Sequence, residues 1–259
     1  MAEQTGGVCK SAGMSEYDIG TYGSFWAPHY DDIFRSHDSE VAFLAPLAGT
    51  PPRALELAIG SGRVALPMVE AGVEVTGIEI SDDMIALLRA KPGGSDIKVI
   101  KGDFADVEVE DTFLLVYLPF NTLFALTSQQ RQVDCFRNVA RALDPGGRFV
   151  LDTFVPDLRR YDHLGTRVGV SSISSNEAHA YELSIHNPLD QSVVSHHVRR
   201  LDDGSTVVLP VTIRYAWAAE MDLMARLAGL VLEARWGWYD RRPFTEQSLQ
   251  HVSVYRKPT

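Results

Sequence analysis

Between Ala54 and Phe154, apolar runs too short to be helices alternate with stretches of helical period, and this alternation restricts the possible folds more than any other feature. The runs are Ala54 to Ile59, Glu74 to Ile80, Ile97 to Ile100, Thr112 to Leu118 and Arg148 to Phe154. Between them the spacing predicts helices over Arg63 to Ala71, Asp82 to Ala90 and Ser128 to Leu143, and Asp144-Pro145-Gly146-Gly147 marks a turn. Strands that are apolar throughout and joined by helices build a parallel sheet buried on both faces. The expectation is a doubly wound α/β domain.

The flanking segments follow other rules. Residues 1–40 read as a Gly-, Ser- and Thr-rich tail followed by an aromatic lid that carries Tyr17, Tyr22, Phe25, Trp26, Tyr30 and Phe34. A helix over Ser39 to Leu47 is stopped by Thr50-Pro51-Pro52 and leads into the core, residues 41–158. After it the alternation ceases. Residues 159–215 show β-like runs at Arg167 to Ile173, Ala178 to His186, Ser192 to Arg200 and Thr206 to Tyr215, parted by turn signals, which predicts an antiparallel insertion. In residues 216–259 a helix, Ala216 to Ala228, and two strands, Leu230 to Trp236 and Gln250 to Arg256, return to the main sheet and make it seven-stranded.

The first strand runs into Gly60-Ser61-Gly62, a turn that lets a ligand approach the backbone at the start of a helix. A lone G-x-G is common to many nucleotide sites. Three acidic positions sharpen it. Glu56 lies inside an otherwise apolar strand, where a carboxylate is costly without loop amides or a cationic ligand. Glu79 ends the second strand, where a carboxylate accepts ribose hydroxyls, and Asp103-Phe104 follows the third, suited to an adenine amino group and its ring.

With these residues, and with Gly77-Ile78-Glu79-Ile80-Ser81, Met84 and Leu143-Asp144-Pro145-Gly146-Gly147, the chain resembles the class I S-adenosylmethionine-dependent methyltransferases from about Ala54 to Phe154. The resemblance implies a Rossmann-like sheet, mostly parallel, with a reversed last strand, and S-adenosylmethionine as cofactor. It places the methionine part against Gly60 and Gly62, the ribose at Glu79, and the adenine between Asp103, Phe104 and Ile80; Tyr22, Tyr30, Glu56, Ala58, Met84 and Leu118 complete the expected cofactor site. The lid, Tyr22 to Tyr30-Asp31, and Pro119-Phe120-Asn121-Thr122-Leu123 are similar to those of sugar amine and glycine N-methyltransferase-like enzymes.

Methyl transfer from a sulfonium needs alignment, exclusion of water and removal of a proton from the acceptor. Substrate is expected at the carboxyl ends of the strands, against Tyr17, Phe25, Trp26, Phe120 and Trp238. His29, Tyr22 and Asn121 are the candidate catalytic residues, and Tyr30 a further candidate base. The insertion adds His179, His186, His196 and His197, of which the adjacent His196 and His197 point to opposite faces of a strand.

A net charge of −10 argues against a nucleic-acid substrate. The pairs Arg199-Arg200 and Arg241-Arg242 read as solvated or ion-paired surface residues. Cys9 and Cys135 form no disulfide framework or metal spacing, no apolar run is long enough to span a membrane, and no signal peptide is visible, so a cytoplasmic, metal-independent enzyme of secondary metabolism is expected. The favoured reading is transfer to nitrogen or oxygen of a small metabolite, by a monomer or by a homodimer formed through the insertion. A carbon acceptor such as an indole or enol, a nicotinamide-dependent oxidoreductase and a non-catalytic S-adenosylmethionine-binding protein stand as alternatives.

Overall fold

The computed structural model describes residues 19–34, 38–172, 179–201 and 203–259. In chain order the elements are α1 (Ile19–Trp26), α2 (Tyr30–Ile33), α3 (Asp38–Leu44), β1 (Arg53–Leu57), α4 (Ala65–Glu70), β2 (Glu74–Glu79), α5 (Asp82–Arg89), β3 (Lys98–Lys101), β4 (Phe113–Leu118) and α6 (Gln129–Ala142). Then come β5 (Leu143–Phe154), β6 (Thr166–Ser172), β7 (His179–Asn187), β8 (Ser192–Arg200), β9 (Thr206–Arg214), α7 (Ala218–Leu227), β10 (Val231–Trp236) and β11 (Gln250–Arg256). Short 3-10 turns join several of them.

The main sheet has seven strands in the order β10-β11-β5-β4-β1-β2-β3. β1 to β5 run parallel, and β11 is reversed against both β5 and β10. Because successive side chains of a strand point to opposite faces, the apolar runs divide between two cores. Leu55, Leu57, Val116, Leu118, Phe149 and Leu151 join one, on the side of α6 and α7. Ala54, Leu115, Tyr117, Val150, Val252 and Val254 join the other, on the side of α3 and α4.

Local chemistry sets the helix starts. Ser81 caps α5 by accepting from Met84 N–H (3.3 Å), and Ser128 caps α6 by accepting from Arg131 N–H (3.2 Å). The Asp144 to Gly147 turn differs from its expectation, since it lies within β5. It forms an irregularity that shifts the register against β4 from Phe113 opposite Leu143 to Leu115 opposite Arg148.

The insertion forms a separate antiparallel sheet, β6-β7-β8-β9. Its last strand holds the lid: the Trp26 indole N–H donates to Pro210 O at 3.0 Å. At its foot, the Arg214 guanidinium, 5% exposed, bonds to Gln132 and Glu220, each at 2.7 Å, which ties β9 to α6 and α7. No helix among the described residues is long and apolar enough to cross a membrane.

Candidate functional site

The parallel strands diverge between β1 and β4, where one neighbour leads through β2 and the other through β5, and a crevice opens beyond their carboxyl ends. A cavity of about 450 Å³ lies there. Every strand end from β1 to β5 contributes to its wall, through Ala58 and Gly60, Glu79 to Ser81, Phe104, Phe120 to Thr122, and Phe154.

After β1 the backbone makes left-handed steps at Ala58 (φ 52°), Gly60 (φ 57°) and Gly62 (φ 79°). The two glycines do different work. A Cβ on Gly60 would meet only Ala58 O, at 3.9 Å, so this residue leaves room for a ligand at the backbone. A Cβ on Gly62 would come within 2.5 Å of Leu88 Cδ1 and 3.2 Å of Leu66. Gly62 is absent from the wall and permits close helix packing, which corrects its expected place beside the methionine part of the cofactor.

Glu79 is 7% exposed and stands in the wall. Its Oε2 accepts from Gly60 N–H (2.9 Å), and its Oε1 accepts from Ile80 N–H (3.0 Å) and Ser81 N–H (2.8 Å). Burial raises its pKa, and the N–H donors pull it back. One carboxylate has about four acceptor positions, so a ribose finds one left unless Gly60 N–H is released. Ile80, Met84 and Phe104 line the adjoining wall.

Other expected cofactor residues lie outside it. Glu56, 2% exposed, accepts from the Tyr117 hydroxyl at 2.8 Å behind the cavity. Burial raises its pKa to about 8, the Tyr117 hydroxyl and the charge of Arg63 pulling it back. Asp103 is occupied by Arg131 (2.7 Å) and Ala105 N–H (2.9 Å), and only its neighbour Phe104 reaches the wall. Leu118 is closed within the core.

Phe120 (φ 67°) and Asn121 (φ 58°) form a left-handed turn, unusual for a phenylalanine. Asp152, buried at 2% exposure, holds it by accepting from Phe120 N–H (2.8 Å) and from the Tyr239 hydroxyl (2.6 Å). Its pKa is raised to about 6, burial outweighing these donors. Asn121 lines the cavity, and its Oδ1 accepts from Phe154 N–H at 2.5 Å, so the carboxamide braces the turn. The Phe120 ring meets Phe34 at 4.7 Å and the Arg63 guanidinium at 5.0 Å; Arg63 is itself paired with Glu40 at 2.8 Å.

The lid is fastened at its far side too. Asp31 accepts from Ser61 Oγ and from Lys91 Nζ, each at 2.7 Å, and Gly23 packs so closely on Ser81 that a Cβ would come within 1.9 Å of its hydroxyl oxygen. Helical spacing brings Tyr22, Trp26 and Tyr30 to the cavity. Burial raises the Tyr30 pKa to about 12. Phe25 and His29 fall outside the wall, and Phe25 is 50% exposed. This corrects the expectation that both touch substrate. Trp238, with Trp236, packs against the second core and is also outside the wall. Tyr17 and the side chain of His179 lie outside the described residues.

The inner face of the insertion closes the cavity with residues absent from the expected site, among them Arg167, Glu182, Ser195 and Arg199. The period of β8 foretells their shared side, because Val193, Ser195, His197 and Arg199 alternate along it. His197 meets Trp26 edge-on at 5.6 Å, and burial lowers its pKa against the pull of Glu182. His196 is exposed, and His186 bonds to the Tyr215 hydroxyl at 3.0 Å without reaching the wall.

Residues 54–147 match the family described as "Methyltransferase domain". The chain is 38% identical to the CcbJ methyltransferase from Streptomyces caelestis, covering 94% of this chain and 100% of that one, with a TM-score of 0.85. It is 28% identical over 205 residues to the cypemycin N-terminal methyltransferase of Streptomyces sp, covering 78% of this chain and 82% of that protein. The S-adenosylmethionine-bound amino pentose methyltransferase CalS10 from Micromonospora echinaspora shares the fold, with a TM-score of 0.63 at 17% identity over 93% of this chain and 92% of that one.

Proposed function

The chain belongs to the S-adenosylmethionine-dependent methyltransferases, and from that premise we propose that it transfers the methyl group to an amine nitrogen of a small organic acceptor held between the lid and the insertion sheet. What carries this reading is the continuity of the cavity. One cavity, open to solvent on one side, reaches from Gly60 and Glu79, past Tyr22, Trp26 and Phe120, to His197.

The residues present fit the cofactor. Gly60 leaves its Cβ position open, Glu79 keeps an acceptor for a ribose hydroxyl, and Phe104, Ile80 and Met84 offer an apolar slot for adenine. When bound, S-adenosylmethionine supplies a methyl carbon whose bond to sulfur breaks with its electron pair left on sulfur, giving S-adenosylhomocysteine. Tyr22, Trp26, Phe34 and Phe120 exclude water and hold a cationic amine by its attraction to ring faces. His197, kept neutral by burial, removes one proton from the ammonium so that the nitrogen lone pair can form the new N–C bond.

The cypemycin N-terminal methyltransferase, whose name states an N-terminal target, supports nitrogen over oxygen. The test is transfer of tritium from labelled S-adenosylmethionine to a panel of amines, phenols and indoles. Label on amines, lost in a His197→Ala variant at neutral pH and partly regained at higher pH, is the expected result. Label on phenols or carbon alone overturns it.

A further inference from the structure

The charges on the inner side of the insertion are matched with one exception. Arg167 meets Glu182 at 2.9 Å, and Glu182 also accepts from Ser184 Oγ at 2.7 Å. Arg214 is engaged by Gln132, Gln191 and Glu220. Arg199 stands apart. Its Nη1 is closed to solvent and has no hydrogen-bond acceptor among the described residues, although Arg199 is part of the cavity wall.

Its position in the sheet explains the lack. Arg199 lies opposite Ala180 on β7 and Val207 on β9, neither of which offers a side-chain acceptor. Burial lowers its pKa, and the opposing attraction comes from Asp32 on the lid, with which no ion pair forms. A guanidinium nitrogen withdrawn from water without an acceptor is a cost that folded chains rarely carry, even where the rest of the side chain is only half-buried. In the wall of a ligand cavity the missing acceptor is one that a ligand can bring.

We propose that Arg199 anchors a carboxylate of the methyl acceptor, so that the substrate is an amine that also bears a carboxylate, its nitrogen towards Phe120 and its anionic end on the insertion sheet. The planar guanidinium matches a carboxylate with two parallel N–H donors, which a neutral amide or hydroxyl does not reproduce. His197 lies two residues before Arg199 on the same face of β8, so the proton acceptor and the anchor are set side by side along the substrate. The proposal rests on the amine-methylation reading given above.

The experiment measures equilibrium binding to protein loaded with S-adenosylhomocysteine, using two matched pairs of probes: tryptophan against tryptamine, and proline against pyrrolidine. Wild-type protein is expected to bind at least one carboxylate probe tenfold or more tightly than its partner amine. Arg199→Gln should bring that ratio to twofold or less, and Arg199→Lys should restore part of it. A merely structural arginine would lower the melting temperature when replaced; here Arg199→Gln is expected to melt at or above the wild-type temperature. Equal or weaker binding of both carboxylate probes by wild-type protein, no binding of either, or a ratio that survives Arg199→Gln overturns the proposal. Because binding is read without turnover, a carboxylate preference with no methyl transfer to nitrogen would count against the proposed function and leave the anchor standing.

Discussion

Replacing Glu56 with Gln is expected to flatten the fall of stability with pH and to leave cofactor affinity unchanged. The side chain lies 2% exposed inside β1, with the Tyr117 hydroxyl as its donor, and burial raises its pKa to about 8 from 4.5. The folded form therefore holds the proton more tightly than the unfolded chain. This contribution to stability is complete below pH 4.5, falls as pH rises, and levels off above pH 8, where both states are ionised. At about 1.36 kcal/mol per pH unit, the loss by pH 7 is about 3 kcal/mol, and between pH 5 and pH 8.5 about 4 kcal/mol. Gln keeps the shape and the oxygen that Tyr117 needs but cannot ionise. Urea denaturation of both proteins at pH 5 and pH 8.5 should show the variant gaining on wild type by about 4 kcal/mol across the interval. Calorimetric affinity for S-adenosylmethionine should change less than twofold. Parallel pH profiles would refute the reasoning, since they would mean that Glu56 is ionised in the fold and available to a cation; so would a large loss of affinity.

Gly62→Ala should lower stability by about 2 to 4 kcal/mol, because a left-handed residue gains a Cβ within 2.5 Å of Leu88 Cδ1. Gly60→Ala, left-handed too but with open space, should cost only the backbone strain of about 1 to 2 kcal/mol and otherwise act on cofactor affinity; equal melting losses for the two variants would contradict the division of labour between them. Tyr239→Phe removes a donor from the ionised Asp152 and should cost about 1.5 to 3 kcal/mol at pH 8. Since burial raises the Asp152 pKa to about 6, wild-type stability from this group falls as pH rises from about 4 to 6, and the variant should extend that fall to higher pH. Its deficit should shrink at pH 5, and a constant offset in melting temperature across pH would count against the role given to Asp152.

What the sequence made legible was local. β8 and β11 begin and end where their apolar periods do, and Ser81 and Ser128 sit at the helix starts that their chemistry suits. Gly60, Glu79 and Phe104 reach the cavity because each lies at or just beyond the end of a parallel strand, a place that order along the chain identifies. Glu56, Asp103 and Gly62 lie outside the wall because partners distant in sequence decide where they point. Tyr117 is 61 residues from Glu56, Arg131 is 28 from Asp103, and Leu88 reaches Gly62 only once α5 has packed on the glycine turn. The lid illustrates the same limit. Six aromatics were visible in it, but which of them face inward depends on how the helical turns dock on Ser81, Ser61 and Pro210.

The insertion departs from the usual logic in a more informative way. Alternation along β8 predicts that Ser195, His197 and Arg199 share a face, but the sheet carries apolar residues on both of its faces, so hydrophobicity does not say which one is inward. Its outward side carries Tyr181 (44% exposed), Leu183 (46%), Ile185 (62%) and Val168 (76%), while Glu182, Ser184, Ser195 and His197 turn inward beside the buried Ala180, Val193 and Leu209. Arg199, expected together with Arg200 as a solvated or ion-paired surface residue, stands in the cavity wall instead. Turning a charged row inward is unfavourable for a sheet that only has to pack, since each inward polar group needs a partner that water would otherwise supply. Glu182 and Arg167 find theirs in each other; Arg199 does not. The inward polar row is thus understandable if that part of the sheet was shaped around a polar occupant of the cavity, while Val193, Leu209 and Ile213 on the same face, and Arg214 and Tyr215 at its foot, answer to the core.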